Sequence, residues 1–287
     1  MISRFVLLSL VVSTLSSFAG TYAQFRTAWG DIDVELYDDD KPVTVRNFLR
    51  YVQSGRYDNM FFHRCPTNQS TRLTDFVVQG GGFFVMTNGI IDRVPDFGNI
   101  PNEFGVGRRF SNTYGTIAMA KVAGDTNSAN SQFFFNLTNN SFLDATNANG
   151  YFTVFGRIVG RNSTNVLNSY RGRSINQRIK DMSSLDPEWS TLPVTYSGTR
   201  APTLNDLEFP NISVLKLSVA ATNGVRELSW NSLGGTNHIY HVEFSTNLPP
   251  VWQTLTSTNG IGRNQTMRIT DPSAGATLRF YRVRIGL

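Results

Sequence analysis

The chain has 287 residues, 40% of them hydrophobic and 12% aromatic, with 26 basic side chains against 21 acidic ones and a formal charge of +5. That length admits two domains at roughly 150 residues each, and the apolar content can fill real cores. The single cysteine, Cys65, excludes an internal disulfide and a thiolate metal cluster. A basic balance keeps nucleic acid among conceivable partners, but the charges are scattered. The densest group, Arg171, Arg173, Arg178 and Lys180, lacks the interleaved aromatics on which single strands stack. It reads as a solvated helix face, and no nucleic-acid partner is expected.

In chain order, Arg4 precedes an apolar run from Phe5 to Val12 that continues to Leu15, followed by small polar residues and Thr21-Tyr22-Ala23. A charged start, an apolar middle and a small-x-small end are the layout of a secretory signal peptide, residues 1–23, with cleavage after Ala23 or, as the second choice, after Ala19. The run is too short and too rich in Ser to span a bilayer, and no later segment is long and apolar enough, so an exported protein without a membrane span is expected.

From Phe25 to about Gly160, short alternating runs are separated by Gly, Asn and Pro turns. One helix is expected over Val43–Ser54, where Phe48, Leu49, Tyr51 and Val52 recur at helical spacing. Many short strands with few helices point to a barrel or sandwich.

Three blocks within this stretch read as short strands: Phe61-Phe62-His63-Arg64, Phe76-Val77-Val78-Gln79-Gly80-Gly81 and Ser131-Gln132-Phe133-Phe134-Phe135. Alternation puts Phe62 with Arg64, Val77 with Gln79, and Gln132 with Phe134. Any one block alone reads as core with an arginine snorkelling to water. Together they read as an apolar pocket with a single cation at its rim.

Beyond Arg161, Val166–Met182 is a candidate second helix. Pro187, Pro193, Pro202 and Pro210 punctuate a stretch unsuited to regular structure, and Leu207–Val214 is the expected last barrel strand. Leu215–Leu287 reads as a second unit. Its candidate strands are Leu215–Ala220, Val225–Asn231, His238–Ser245, Val251–Thr256, Thr266–Thr270 and Leu278–Ile285, joined by Asn-Gly, Gly-Gly and Pro-Ser turns. His63 lies in the first unit, and His238 and His241 lie three apart in a strand-like run, so no metal is assigned.

The three blocks, in this order and spacing, resemble the cyclophilins, a family of peptidyl-prolyl cis-trans isomerases. Asp33-Val34-Glu35-Leu36-Tyr37 with Lys41–Phe48, Gly115–Ala120, Phe142-Leu143-Asp144 and Phe152–Gly156 extend the resemblance over roughly Phe25 to Gly160. It implies a mainly β fold, with a closed eight-stranded barrel capped by two helices over residues 24–214. Residues 215–287 would follow as a small β-sandwich resembling a fibronectin type III domain, read as a spacer.

The resemblance also implies roles. Arg64, Phe76, Gln79 and Phe134 would be catalytic. Val77, Ala120, Lys121, Gln132, Phe142, Leu143 and Phe152 would bind substrate, a proline-containing polypeptide. No nucleophile, acid-base pair or cofactor is required, because turning an X-Pro bond makes and breaks nothing covalent. Val77, Phe142, Lys121 and Phe152 stand where many members carry Met, Trp, Asn and His, and the 65–75 segment is longer than usual. The rival readings are a non-catalytic clamp for proline peptides, which would tend to lose one of Arg64, Phe76, Gln79 and Phe134, and a surface scaffold with an inert pocket.

Overall fold

In the computed structural model the described residues are 21–66, 75–146, 150–222, 225–234, 238–248, 250–262, 264–272 and 278–286. Residues 1–20 of the leader expected over 1–23, and most of the long 65–75 segment, lie outside them.

Strands β1 (Tyr22–Thr27) and β2 (Gly30–Leu36) form a hairpin, and helix α1 (Pro42–Gln53) follows, one residue away at each end from its expected bounds. Pro42 starts the helix, where a missing N–H is no loss. Strands β3 (Val77–Gly80), β4 (Phe83–Val85), β5 (Ile91–Arg93), β6 (Thr116–Met119), β7 (Phe133–Asn136) and β8 (Val154–Val159) lead to helix α2 (Gly160–Asn168). Then come β9 (Ser174–Ile175), β10 (Gln177–Lys180), β11 (Leu192–Ser197) and β12 (Asn211–Val214). The last strands are β13 (Leu217–Thr222), β14 (Val225–Asn231), β15 (Ile239–Ser245), β16 (Gln253–Asn259), β17 (Thr266–Asp271) and β18 (Phe280–Gly286).

The principal sheet has seven strands in the order β12-β1-β2-β8-β6-β7-β3, paired antiparallel. The segment 60–65 bonds to β3 at one edge and, at the other, to the chain just before β12. On the β3 side the His63 N–H donates to the Gln79 carbonyl at 3.0 Å and the Gln79 N–H to the Arg64 carbonyl at 2.8 Å. On the β12 side the Phe62 N–H donates to the carbonyl of Glu208 at 2.9 Å. This segment fills the eighth position of the barrel without being a regular strand, because it also bonds sideways: the Phe61 N–H reaches the Phe83 carbonyl and the Cys65 N–H the Thr191 carbonyl.

The barrel interior is aromatic. Phe133 and Phe135 of β7 point inward with Phe25, Phe48 and Phe155, while Phe134 between them belongs to a separate cluster. Rings meet edge to face, Phe25 and Phe135 at 5.1 Å and 81°. Helix α1 covers one end with Val45, Phe48 and Tyr51 buried. Gly81 has φ +80, and a Cβ there would overlap the Ser131 carbonyl oxygen, so only glycine lets β3 turn this close to the chain entering β7.

Three expectations about residues 161–213 are corrected. The second helix spans Gly160–Asn168 rather than Val166–Met182; the chain beyond it enters left-handed backbone at Gly172, Asn176 and Arg178, which a helix cannot hold. The basic group is therefore no helix face: Arg173 and Lys180 are buried, Arg173 in an ion pair with Glu208 at 2.6 Å. The proline-punctuated stretch is also partly regular. Pro187 opens a 3-10 turn, Pro187–Trp189, and Pro193 lies in β11, an edge strand of the β11-β10-β9 sheet, where a missing donor is tolerated. In the irregular segment 61–64, Phe62 packs into the barrel core against Tyr170 and does not share the pocket with Arg64.

Residues 217–286 form two three-stranded sheets, β13-β14-β17 and β16-β15-β18, around a core that includes Leu228, Trp230, Tyr240, Val242, Met267 and Val283. Tyr22 of β1 belongs to this second core. Beside it, Gln24 Nε2 donates to Asp33 at 2.8 Å and to the Gly234 carbonyl at 2.6 Å, its Oε1 accepts from the Gly234 N–H, and His238 Nε2 lies 2.8 Å from Asp33. Gln24, Asp33 and His238 are all buried.

Candidate active site

Alternation along three strands sorts the side chains into two layers. In β3, Val78 points into the barrel core while Val77 faces outward; in β7, Phe134 faces outward opposite Gln79. The outward residues gather with Ala118, Leu143 and Val154 into a cluster on which Phe76, Phe110, Ala120, Phe152 and Tyr37 pack. Six expected pocket residues, Phe76, Val77, Ala120, Phe134, Leu143 and Phe152, are thus brought together. Phe152 meets Phe134 at 5.9 Å and 70°. Phe142 is 53% exposed and stacks on Phe76 at 5.7 Å, forming a rim rather than a wall. The Lys121 ammonium lies over the Phe152 ring at 4.6 Å, and burial lowers its pKa.

A polar chain borders this cluster. Half-buried Arg64 pairs with Gln79 as an isolated antiparallel bridge, and its Nη1 donates to Gln79 Oε1 at 3.2 Å. Gln79 Nε2 donates to Gln132 Oε1 at 2.6 Å, and Gln132 Nε2 to Glu188 at 3.4 Å. Burial lowers the Arg64 pKa and the nearby Glu188 carboxylate opposes it; the guanidinium remains charged at any physiological pH. His63, fully buried beside this chain, is driven down to a pKa of about 3, first by burial and then by the Arg64 charge. It is neutral at pH 7, so its 3.7 Å approach to Glu188 is no ion pair. Cys65 sits in the barrel core with its thiol pushed up to about 12 by burial, which makes it inert.

Sequence reading missed the support beneath the pocket. Asn140 Nδ2 donates to the Phe76 carbonyl at 2.9 Å and to Asn136 Oδ1 at 2.8 Å; Asn136 Nδ2 donates to Asn112 Oδ1 at 3.2 Å, and Asn112 Nδ2 to Asp144 at 2.7 Å. These buried amides fix Phe76 relative to the 3-10 turn Ser141–Asp144 that carries Phe142 and Leu143. The only signal was Asn136 closing an aromatic strand, a polar residue where a hydrophobe would fit. Phe110, stacked on Tyr37 at 3.9 Å, was missed because it lies in an irregular stretch with no periodicity.

Residues 22–182 match the family described as cyclophilin type peptidyl-prolyl cis-trans isomerase/CLD. The chain belongs to this family. A peptidyl-prolyl cis-trans isomerase of Acinetobacter baylyi is 35% identical over 154 residues, covering 54% of this chain and 74% of the relative. The enzyme cyp18 of Streptomyces antibioticus is 40% identical over 138 residues, 47% of this chain and 75% of that one. A solved cyclophilin type isomerase of Cryptosporidium parvum superposes with TM-score 0.43 at 19% identity, over 68% of this chain and 98% of that one. Membership rests on the sequence matches. Two of the expected substrate-binding side chains have visible surroundings in this cyclophilin. Lys121 uses Phe152 as a cation-π platform, and Phe142 offers only a ring face where an indole would add an N–H donor. Glu188 falls outside the matched residues altogether.

Proposed function

We propose that this chain is a peptidyl-prolyl cis-trans isomerase acting on X-Pro bonds of exported polypeptides. The observation that carries the reading is Arg64, tied by Gln79 beside the apolar cluster of Phe76, Val77, Phe134 and Leu143. Rotation about an X-Pro bond must break amide conjugation, a barrier of about 18–20 kcal/mol. In the twisted state the prolyl nitrogen regains its lone pair and becomes an acceptor, so a guanidinium aimed at it stabilises that state over either planar form. Phe76, Val77, Phe134 and Leu143 grip the ring without hydrogen bonds that would favour planarity. Gln79 orients Arg64 and holds the substrate backbone, Ala120 and Lys121 offer main-chain groups to the residue before proline, and Gln132 lines the neighbouring groove. Phe142 and Phe152 close the rim.

The test is turnover of a short X-Pro peptide, followed by a protease-coupled assay or NMR exchange. Acceleration supports the reading. Binding of the peptide with no acceleration would make the pocket a clamp.

Export rests on the apolar run after Arg4; among the described residues no helix is long and apolar enough to cross a membrane. Of the two cleavage points, the one after Ala19 suits the fold better. Thr21 makes two hydrogen bonds to Asp38, and Tyr22 is buried in the second core, so cutting after Ala23 would remove both. The mature N-terminus is expected at Gly20, by mass spectrometry of the secreted form.

The chain further divides into a catalytic unit, 24–214, and a C-terminal unit, 215–287, that adds no pocket residue.

A further inference from the structure

The chain beyond the family match places a carboxylate at the end of the site's polar chain. Glu188 lies in the turn Pro187–Trp189, which is held in two ways. Trp189 is buried against Phe83 at 5.1 Å and 68°, and the Asp186 carboxylate accepts the Glu188 N–H at 2.9 Å. Arg93 then clamps one carboxylate oxygen at 2.7 Å and Asp186 at 3.1 Å, leaving the other Glu188 oxygen to accept from Gln132.

We propose that Glu188 is a positioning residue for Arg64, acting through Gln132 and Gln79 to keep the guanidinium aimed at the prolyl nitrogen. The proposal rests on the reading of Arg64 given above. Its physical basis is polarity. An arginine can only donate and a carboxylate can only accept, whereas each glutamine amide presents either end. With donors fixed at Arg64 and acceptors fixed at Glu188, one orientation satisfies all three links: Gln132 turns its NH2 to Glu188 and its oxygen to Gln79, which in turn presents its own oxygen to Arg64. Without the carboxylate, Gln132 is free to flip and offer its NH2 to Gln79; Gln79 must then rotate and set its NH2 against the Arg64 donors. Such half-buried chains act as units, so the loss is felt at the far end.

The test is Glu188→Gln, which keeps shape but accepts or donates equally well, made in the native chain and in a Gln132→Ala background. Thermal unfolding of each variant confirms the fold. The expected result is a fall in kcat/KM of about fivefold in the native background, the size of one oriented hydrogen bond, and less than about twofold once Gln132 is gone, since coupled residues are not additive. Equal losses in both backgrounds, or no loss in either, would overturn the proposal, because a carboxylate acting through charge or through packing does not need Gln132. A readout independent of turnover is the side-chain amide NMR signals of Gln79 and Gln132. Both pairs should shift in Glu188→Gln, and an unmoved Gln79 pair would overturn the proposal. A chain that turns over no X-Pro peptide yet shows both shifts would refute the functional reading while leaving the orientation of Gln79 and Arg64 by Glu188 standing.

Discussion

Two polar assemblies in this protein, one buried and one half-buried, use the same vocabulary to different ends. At the junction of the two units, Gln24, Asp33, His238 and Gly234 close on one another, with both ends of the Gln24 amide engaged. At the pocket, Glu188, Gln132 and Gln79 form an open chain that ends in a half-buried guanidinium. A closed network spends its hydrogen bonds on holding structure, since leaving any member unsatisfied costs about 1–3 kcal/mol. An open chain directs a donor toward something that is not yet there. Stability and rate should therefore respond to different residues.

The largest effect separates the two units. Stopping the chain after Val214 uncovers Tyr22, Gln24 and Asp33 together, so the shortened protein should melt well below the full chain yet keep its turnover of short peptides. Loss of turnover in a shortened chain that still folds would mean that the C-terminal unit shapes the site. Asp33→Ala is the point version: Gln24 and His238 both lose the carboxylate, costing about 3 kcal/mol in chemical unfolding with the rate within twofold of native.

His63 gives a smaller, pH-gated effect. Its pKa is about 3 in the folded chain against 6.5 when exposed. Between those values the unfolded state holds a proton that the folded state does not, so stability falls as pH drops through that window. About 2 kcal/mol should go between pH 6.5 and pH 5 from this group. His63→Phe should unfold with a visibly shallower acid slope; an unchanged slope would assign acid sensitivity to other groups. The smallest effect belongs to the rim, where Phe142→Trp should leave turnover within twofold, because the ring is exposed and borders rather than forms the pocket.

Local pattern explains what could be read from the sequence. The run Phe133-Phe134-Phe135 declares its two faces by alternation, and the structure divides it between core and pocket accordingly. In the sequence, Asn-Gly and Gly-Gly pairs punctuate the C-terminal unit, and each of its strands lies within a few residues of the expected bounds. What escaped depended on distant partners. Residues 61–64 look like a strand, but their bonds go to three different neighbours, and Phe62 follows the core instead of its alternation partner. Arg173 and Lys180 looked solvated because Glu208 and the folded chain around Gly198, which bury them, lie about 20 to 35 residues further on. Glu188, an acid after a proline, has no local mark of reaching Gln132, 56 positions earlier.

The most direct test of the account compares binding with turnover in Arg64→Ala. NMR exchange on a saturating X-Pro peptide gives the catalysed cis-trans rate, and titration of the same peptide gives its affinity. If Arg64 stabilises only the twisted amide, affinity should stay within a few-fold of native while the rate falls by at least roughly a hundredfold. Arg64→Lys should recover little of it, since an ammonium lacks the planar fork that Gln79 holds. A folded Arg64→Ala protein that isomerises the peptide at the native rate would contradict the account.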